Sequence, residues 1–292
     1  MSNIVRLCSR LKYIGLIGLP IFISDAIIFK LLWLFWLFTL VEVFYDRAIY
    51  WQSIKQLVGI PYVYITHHFK LPDPVNTSLT MQYILPFKED WVAVNGGMEK
   101  SLSHSWGIVT QRYAYDFLML DDKGNSFEGE KTQLHSYYCY EKEIIAPADG
   151  VVVEIGDKRR ESKIFGNGQV DIGVKDIRGN YIIIKHGTKE YSLLGHLIPG
   201  SIKVQEGERV KAGQELARCG NSGNSSEPHL HFQLQDGKSF FFSAGLPITF
   251  NHIENIPCEA YEKYDSRQIV QKSQLYKSGN IRRGQRVKNK KV

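Results

Sequence analysis

From Thr80 onward the chain is written in short alternating or β-branched runs cut by glycine, and that texture leaves room for little other than an all-β body. The runs are MQYILPF, AYDFLML, EIIAPADGVVVEIGD, QVDIGV, NYIIIKHG, EYSLLGHL and HLHFQLQ. Each is strand-length and bounded by Gly, Asp or Asn, and hardly any helical periodicity competes with them. The block Gly207-Glu-Arg-Val-Lys-Ala-Gly213-Gln ends a strand and turns tightly, using glycine twice. With no internal repeat, the pattern predicts an antiparallel β sandwich or barrel-like domain over residues 80–255.

Residues 13–45 are the most apolar part of the chain. Tyr13–Ile23 contains Gly15, Gly18 and Pro20 and reaches only about half of a hydrocarbon core as a helix. Ala26 to Phe44 is nineteen residues, about 28 Å as a helix, which spans if Lys30 snorkels to one interface and Glu42 sits at the other. Ser24 or Asp25 is the expected N-cap, and Trp33, Trp36 and Tyr45 suit the headgroup layers. Arg6, Arg10 and Lys12 precede the apolar run, whereas Asp46, Arg47 and Lys55 follow it more sparsely. The positive-inside bias therefore places the N-terminus in the cytoplasm and, with one transmembrane helix, the rest of the chain outside the cell membrane. A hairpin in which Tyr13–Ile23 also crosses would return the body to the cytoplasmic side. No small-residue cleavage site follows the run, so a removable signal peptide is not expected. The expected organisation is an anchor at 1–45, a connector with Pro61, Pro72 and Pro74 at 46–79, the β domain at 80–255 and an extension at 256–292.

The net charge of +6 is concentrated at one end. Lys277, Arg282, Arg283, Arg286, Lys288, Lys290 and Lys291 follow one another with no acidic residue, and the remainder is close to neutral. That distribution argues against a nucleic-acid-binding body. The basic tail reads as a solvated end or as a contact for anionic lipid or an anionic wall polymer. Cys8, Cys139, Cys219 and Cys258 show no C-x-x-C spacing, and with Cys8 ahead of the apolar run the odd number left argues against a disulfide framework while leaving room for one pair.

Among nine histidines, His67, His68, His135 and His252 have no visible partners in the sequence, and His186 ends a strand before a turn. The pair His229-Leu230-His231 is different. It opens a strand, where residues i and i+2 share a face, so two imidazoles point the same way. That is a suitable beginning for a zinc site. The pair follows Cys219-Gly-Asn-Ser-Gly-Asn-Ser-Ser-Glu-Pro228, a loop able to bring the strand to a cleft edge.

The run from Glu143 to Gln235 resembles the M23 peptidase family, which includes lysostaphin-like endopeptidases. The matching stretches are Ile145-Ala-Pro-Ala-Asp-Gly-Val151, Gly179-Asn-Tyr-Ile-Ile-Ile-Lys-His-Gly187, Leu194-Gly-His-Leu197, Val204-Gln-Glu-Gly-Glu-Arg-Val-Lys-Ala-Gly213 and Gly220-Asn-Ser-Gly-Asn-Ser-Ser-Glu-Pro-His-Leu-His-Phe232. The resemblance implies an antiparallel β fold with an open cleft, one Zn2+, and two histidines plus an aspartate as ligands. On that pattern His231 is a ligand, Asp116 in Tyr113-Ala-Tyr-Asp-Phe117 is the carboxylate ligand, and His196 and His229 are the catalytic pair flanking the reacting water. The chain departs from the family's H-x-x-x-D motif, because Arg112 stands four residues before Asp116 and a guanidinium cannot give up its proton to bind zinc. The nearest upstream imidazole is His104, which a loop containing Gly96, Gly97 and Gly107 would return to the site as third metal ligand. Arg112 is left as a contact for a substrate carboxylate or a partner of Asp116.

Two functions of different classes follow. One is a membrane-anchored zinc metallopeptidase that hydrolyses peptide bonds in peptidoglycan stems or crossbridges. The other is a degenerate domain of the same fold that binds cell wall or recruits a partner hydrolase, and Arg112 is its main support. A lipoyl- or biotinyl-type carrier shares some of the glycine texture but needs a lysine in a hairpin turn that is not apparent here.

Overall fold

Strand parity assigns each side chain its face, and strand β5 (Asn180–Gly187) shows this on both sides. Ile182 and Ile184 enter the main apolar cluster, whereas Tyr181 and Ile183 join a second cluster with Leu193, Phe240 and Phe241. Both faces are covered, so the run reads as nearly continuous hydrophobics. The computed structural model describes residues 3–24, 26–45, 47–171, 173–267 and 279–290, and the chain divides into units 1–54 and 55–292.

In the first unit, α1 (Asn3–Leu11) runs into a 3-10 helix over Lys12–Phe22. Then come α2 (Ile27–Trp33), a 3-10 turn over Leu34–Leu37, and α3 (Phe38–Tyr45). The single straight helix expected over 26–44 is therefore not formed. Among the described residues, no helix is long and apolar enough to cross a membrane. The 3-10 turn splits the segment into short α-helical pieces. The two apolar portions instead pack on each other, and glycine permits the approach. A Cβ on Gly18 would lie 2.7 Å from the Trp33 backbone nitrogen, and one on Gly15 would lie 2.8 Å from the Trp36 ring. The N-cap position of α2 is Ala26, with no side-chain bond, while the Ser24 hydroxyl accepts from the Ala26 N–H at 3.4 Å. Asp25, Asp46, Lys277 and Lys291, and the side chains of Arg6, Glu42 and Tyr45, lie outside the described residues.

Within the stretch 46–79 the structure places α4 (Arg47–Thr66), a 20-residue helix containing Pro61. Its later turns lie against the β domain through Val63, which clusters with Val109 and Ala244. Gly59 sits so close to the Phe241 carbonyl that a Cβ would lie 1.9 Å from its oxygen. His67 closes the contact, with Nε2 2.7 Å from Asp236 Oδ2.

The β domain is mostly antiparallel sheet. In chain order the other strands are β1 (Trp91–Asn95), β2 (Tyr115–Leu118), β3 (Glu143–Ile145), β4 (Gly150–Gly156), β6 (Glu190–Leu197), β7 (Arg209–Val210), β8 (Glu215–Arg218), β9 (Leu230–Gln235), β10 (Gly245–Leu246), β11 (Ile253–Pro257) and β12 (Gln285–Asn289). A short helix, α5 (Tyr261–Tyr264), precedes β12. The large sheet runs β11-β12-β1-β2-β9-β6-β5-β4-β7, with β10 beside β9, and β3 and β8 form a second, two-stranded sheet. The main core includes Phe87, Trp91, Phe117, Ile144, Leu216, Leu230 and Phe232.

One expectation is overturned at the C-terminal end. Much of the basic stretch is ordered strand, because β12 lies between β1 and β11 and pairs with both. Ile281 and Val287 enter the core between the charged residues, and Arg283 is itself buried. The four cysteines are all buried and free, as expected of a chain without a disulfide framework.

Candidate active site

The parity that fills the core also builds the site. On β9, Leu230, Phe232 and Leu234 turn into the main core, so His231, Gln233 and Gln235 take the opposite face. On β2, Tyr115 and Phe117 turn inward and Asp116 faces the same side as His231, its register partner. On β6, His196 sits in a one-residue bulge between the pairs Ile182–Leu194 and Asn180–Leu197. Its φ of 62° is left-handed. A non-glycine residue held there stores about 1–3 kcal/mol of strain, a cost met most often at functional sites. Backbone bonds fix it on both sides: its N–H donates to the Arg178 carbonyl and its carbonyl accepts from Gly220.

Asp116, His196 and His231 line a cleft of about 340 Å³ together with His104, His229, Glu227, Phe240 and Tyr264. His231 Nδ1 lies 3.0 Å from Asp116 Oδ1, His229 Nε2 lies 3.7 Å from the same oxygen, and His104 Nδ1 lies 3.5 Å from Oδ2. His196 packs beside the pair, its ring tilted against His229 with centroids 4.6 Å apart and edge-on to His231 at 5.8 Å. All five residues singled out in the sequence thus meet around one buried carboxylate. The loop 96–107 does return His104 to Asp116. Arg112 is elsewhere: its guanidinium lies over Trp106, and it donates to the Trp106 carbonyl and the Tyr64 hydroxyl. It neither lines the cleft nor pairs with Asp116, and the position next to it, Gln111, lines the cleft instead.

The hydrogen bonds assign the imidazole tautomers. Gln235 Nε2 donates to the Gly237 and Lys238 carbonyls, which turns its oxygen toward Gln233. Gln233 Nε2 then donates to Gln235 Oε1 and the Thr110 carbonyl, leaving Gln233 Oε1 to accept from His231 Nε2 at 3.0 Å. With Nε2 carrying a proton, a neutral His231 would present the Nδ1 lone pair to Asp116 Oδ1. Two acceptors 3.0 Å apart require a proton or another cation between them. His196 Nδ1 donates to the Ser222 carbonyl at 2.7 Å, and His229 Nδ1 donates to the Glu227 carbonyl at 2.9 Å, with Ser225 beside it. Both Nε2 lone pairs are therefore free to accept a proton in the cleft.

Electrostatics agree with this arrangement. Burial pushes the Asp116 carboxyl up, but the His231 hydrogen bond and the three facing imidazoles outweigh it and hold it far below the usual carboxylate range. Burial lowers His231, yet the bond and charge of Asp116 and the contact with Gln233 raise it overall. Burial, reinforced by His229 and His231, pushes His196 well below the ordinary imidazole value, and partial burial lowers His104. A neutral His196 is the form that can take up a proton.

Among the described residues, no group of three or more His, Cys, Asp or Glu side chains stands at the spacing of a metal-holding set. The donor chemistry nonetheless fits zinc: two imidazole nitrogens and a carboxylate converge, and the place between His231 and Asp116 takes either a proton or a metal cation. The sequence did not single out Asn95, Gln233, Ser222, Ser225, Glu227 or Tyr264. The alternation His231, Gln233, Gln235 was the available signal for one of them. His186 is structural: it bonds the Asp149 carbonyl and Ser192 at 2.8 Å each and meets the Tyr83 ring.

Residues 137–241 match the model of Peptidase family M23. The chain carries an M23 domain. His196, His229 and His231 lie inside the matched stretch, and His104 and Asp116 precede it. Curated relatives include the peptidoglycan DD-endopeptidase ShyA of Vibrio cholerae, 39% identical over 56 residues that cover 19% of this chain and 13% of that protein. The murein hydrolase activator NlpD of Escherichia coli is 35% identical over 119 residues, covering 40% of this chain and 24% of NlpD. The chain thus spans about a quarter or less of the length of these two relatives. The catalytic domain of lysostaphin from Staphylococcus simulans aligns over 54% of this chain and 88% of its own, at 20% identity and a TM-score of 0.31.

Proposed function

We propose that the M23 domain is a zinc-dependent endopeptidase acting on peptide bonds of peptidoglycan, with His104, Asp116 and His231 as metal ligands. The observation that carries this reading is the close approach of His231 Nδ1 to Asp116 Oδ1, two groups that both act as acceptors when His231 is neutral, inside a cleft with two further imidazoles. Zinc held there would supply a Lewis acid and make water more acidic, with a pKa brought from about 16 toward about 7. His196 and His229 present Nε2 toward the same space. One of them accepts the proton of the attacking water at Nε2 and, once protonated there, has an N–H to donate to the developing oxyanion. Ser222 and the Glu227 carbonyl hold both rings in the tautomer this requires.

A second reading has its own support. The murein hydrolase activator NlpD is among the relatives, and Arg112 stands where the family pattern has a histidine. On that reading the cleft engages the wall or a partner hydrolase without turning over.

Metal content together with turnover separates the two. The enzyme reading expects close to one zinc per chain and release of peptide fragments from isolated sacculi, abolished by a chelator and restored by zinc. His231→Ala loses the metal, whereas His229→Ala keeps it and lowers turnover by at least about a hundredfold. A protein that takes up no zinc after reconstitution, or loaded protein that releases nothing, moves the assignment to the activator.

Membrane tethering through residues 13–44, with the M23 domain on the outer face, is part of the same proposal. Its support is the exposed apolar surface of the first unit, where Phe22, Ile23, Ile27 and Phe44 are each more than 70% exposed. A polypeptide that leaves such side chains uncovered has an apolar partner to find. The basic side chains of β12 are proposed to meet an anionic lipid or wall polymer.

A further inference from the structure

A second bulge, on β1 and with two strands between it and the β6 bulge that carries His196, lies at the carboxylate. On β1, Ala93 pairs with Phe117 but the next pair is Asn95 with Asp116, so one residue, Val94, is inserted. The insertion places Asn95 opposite Asp116, where Asn95 Nδ2 donates to Asp116 Oδ2 at 3.0 Å. That oxygen, which His104 also faces, is thereby fixed, and Oδ1 is left to His229 and His231. An asparagine amide can turn over and present its oxygen, which would set two acceptors against each other. Arg267 prevents this, because its Nη1 donates to Asn95 Oδ1 at 3.0 Å and a guanidinium has no acceptor to offer.

Arg267 is itself held in place. Asp265 accepts from its Nε at 2.7 Å and from its backbone N–H at 2.9 Å, and pairs with Nη2 as well. The bulge carbonyl, Val94 O, accepts from Arg267 Nη2 at 3.3 Å and from the Tyr261 hydroxyl at 3.2 Å. Tyr261 is fully buried, and its single hydroxyl proton is shared between the Val94 carbonyl and Asp265 Oδ2, 2.9 Å away. Residues 261–267 therefore sustain both the bulge and the orientation of the amide.

We infer that Arg267 and Asn95 are positioning residues for Asp116: Arg267 locks the Asn95 amide, and Asn95 locks the carboxylate in the pose that binds metal. The inference rests on the zinc reading for its consequence and on hydrogen bonds alone for its geometry, so it is tested on both. Zinc affinity of the full chain is measured by chelator competition for the wild type, Asn95→Ala, Arg267→Ala and the double variant, with circular dichroism to confirm the fold. Each single variant is expected to bind zinc about ten- to a hundredfold more weakly, the usual effect of removing a group that orients a ligand. The double variant should be no weaker than Asn95→Ala, because the two act in series. Arg267→Lys, which keeps the charge but cannot reach Asn95, Asp265 and Val94 together, should behave like Arg267→Ala and stands in for it if that variant misfolds.

The second measurement needs no metal. In the zinc-free full chain, exchange of the Asn95 side-chain amide protons, followed by NMR, should be slow in the wild type and at least about tenfold faster in Arg267→Ala and in Arg267→Lys. Unchanged affinity in folded variants, additive losses in the double variant, or equal amide exchange overturns the inference. A wild type without zinc overturns the zinc reading alone, and the amide measurement still decides this one.

Discussion

Asp116 is buried, yet its charged form is the favoured one, because three imidazoles and the Asn95 amide face its two oxygens. Glu161 shows the opposite outcome of the same burial. It forms a β-bridge with Ser222, accepts the Asn221 N–H at 2.7 Å and faces the Tyr140 hydroxyl at 3.5 Å, and burial outweighs both bonds and pushes its carboxyl up to about 7. Folded Glu161 therefore keeps its proton over a pH range in which the unfolded chain has already lost it. Stability falls as pH rises from about 4.5 to about 7, by on the order of 3 kcal/mol, and is level above that range. Glu161→Gln keeps an acceptor for Asn221 and removes the titration. Its stability relative to the wild type, read from urea unfolding, should grow from pH 5 to pH 8; a constant difference would show that the carboxyl ionises freely in the fold. At this scale the sequence showed much. The H-x-H spacing put His229 and His231 on one side, and the missing histidine at Arg112 sent attention upstream to His104. The links from Asp116 to Asn95 and from Asn95 to Arg267 were not legible, since a bond between positions 95 and 267 leaves no local pattern.

Strands were more readable than helices. The alternating runs in NYIIIKHG and HLHFQLQ correspond to β5 and β9 because both depend only on period-two burial. Helix α4 was hidden by Pro61 and Gly59, residues that ordinarily argue for a linker. The structure uses Gly59 for its lack of a side chain, at the contact with Phe241. Strand β12 was misread for a related reason. Its charges outnumber its one apolar residue, and only Val287, with Ile281 ahead of the strand, gives an apolar mark of burial. Because β12 lies between β1 and β11, deletion of residues 279–292 should not behave as the trimming of a loose end. Loss of two buried aliphatic side chains costs about 3–6 kcal/mol, with the ladder bonds in addition. Thermal unfolding should show a large fall in Tm or no cooperative transition. A shortened chain with an unchanged Tm would refute the role given to this strand.

For the whole molecule, the proposals about place and substrate stand or fall together, since peptidoglycan is met only on the outer side of the cell membrane. The first unit is a helical hairpin built on Gly15 and Gly18, whereas a single straight span was expected. Protease added to intact spheroplasts should degrade the M23 domain if it faces outward. Protection until the membrane is lysed would place it inside and remove the wall from its reach.

The pairing of Trp91 with Val287 joins positions nearly two hundred residues apart. A ribosome adds roughly 5–20 residues per second, so β1 is made many seconds before the strand that covers its edge. Throughout that interval a nascent chain offers an open ladder to any neighbour, and until residues 261–267 are made the bulge that aims Asn95 has nothing to brace it. On the proposed hydrolase reading, competence would then arrive only after translation has run past β12, a built-in delay for an enzyme whose substrate is the cell's own wall.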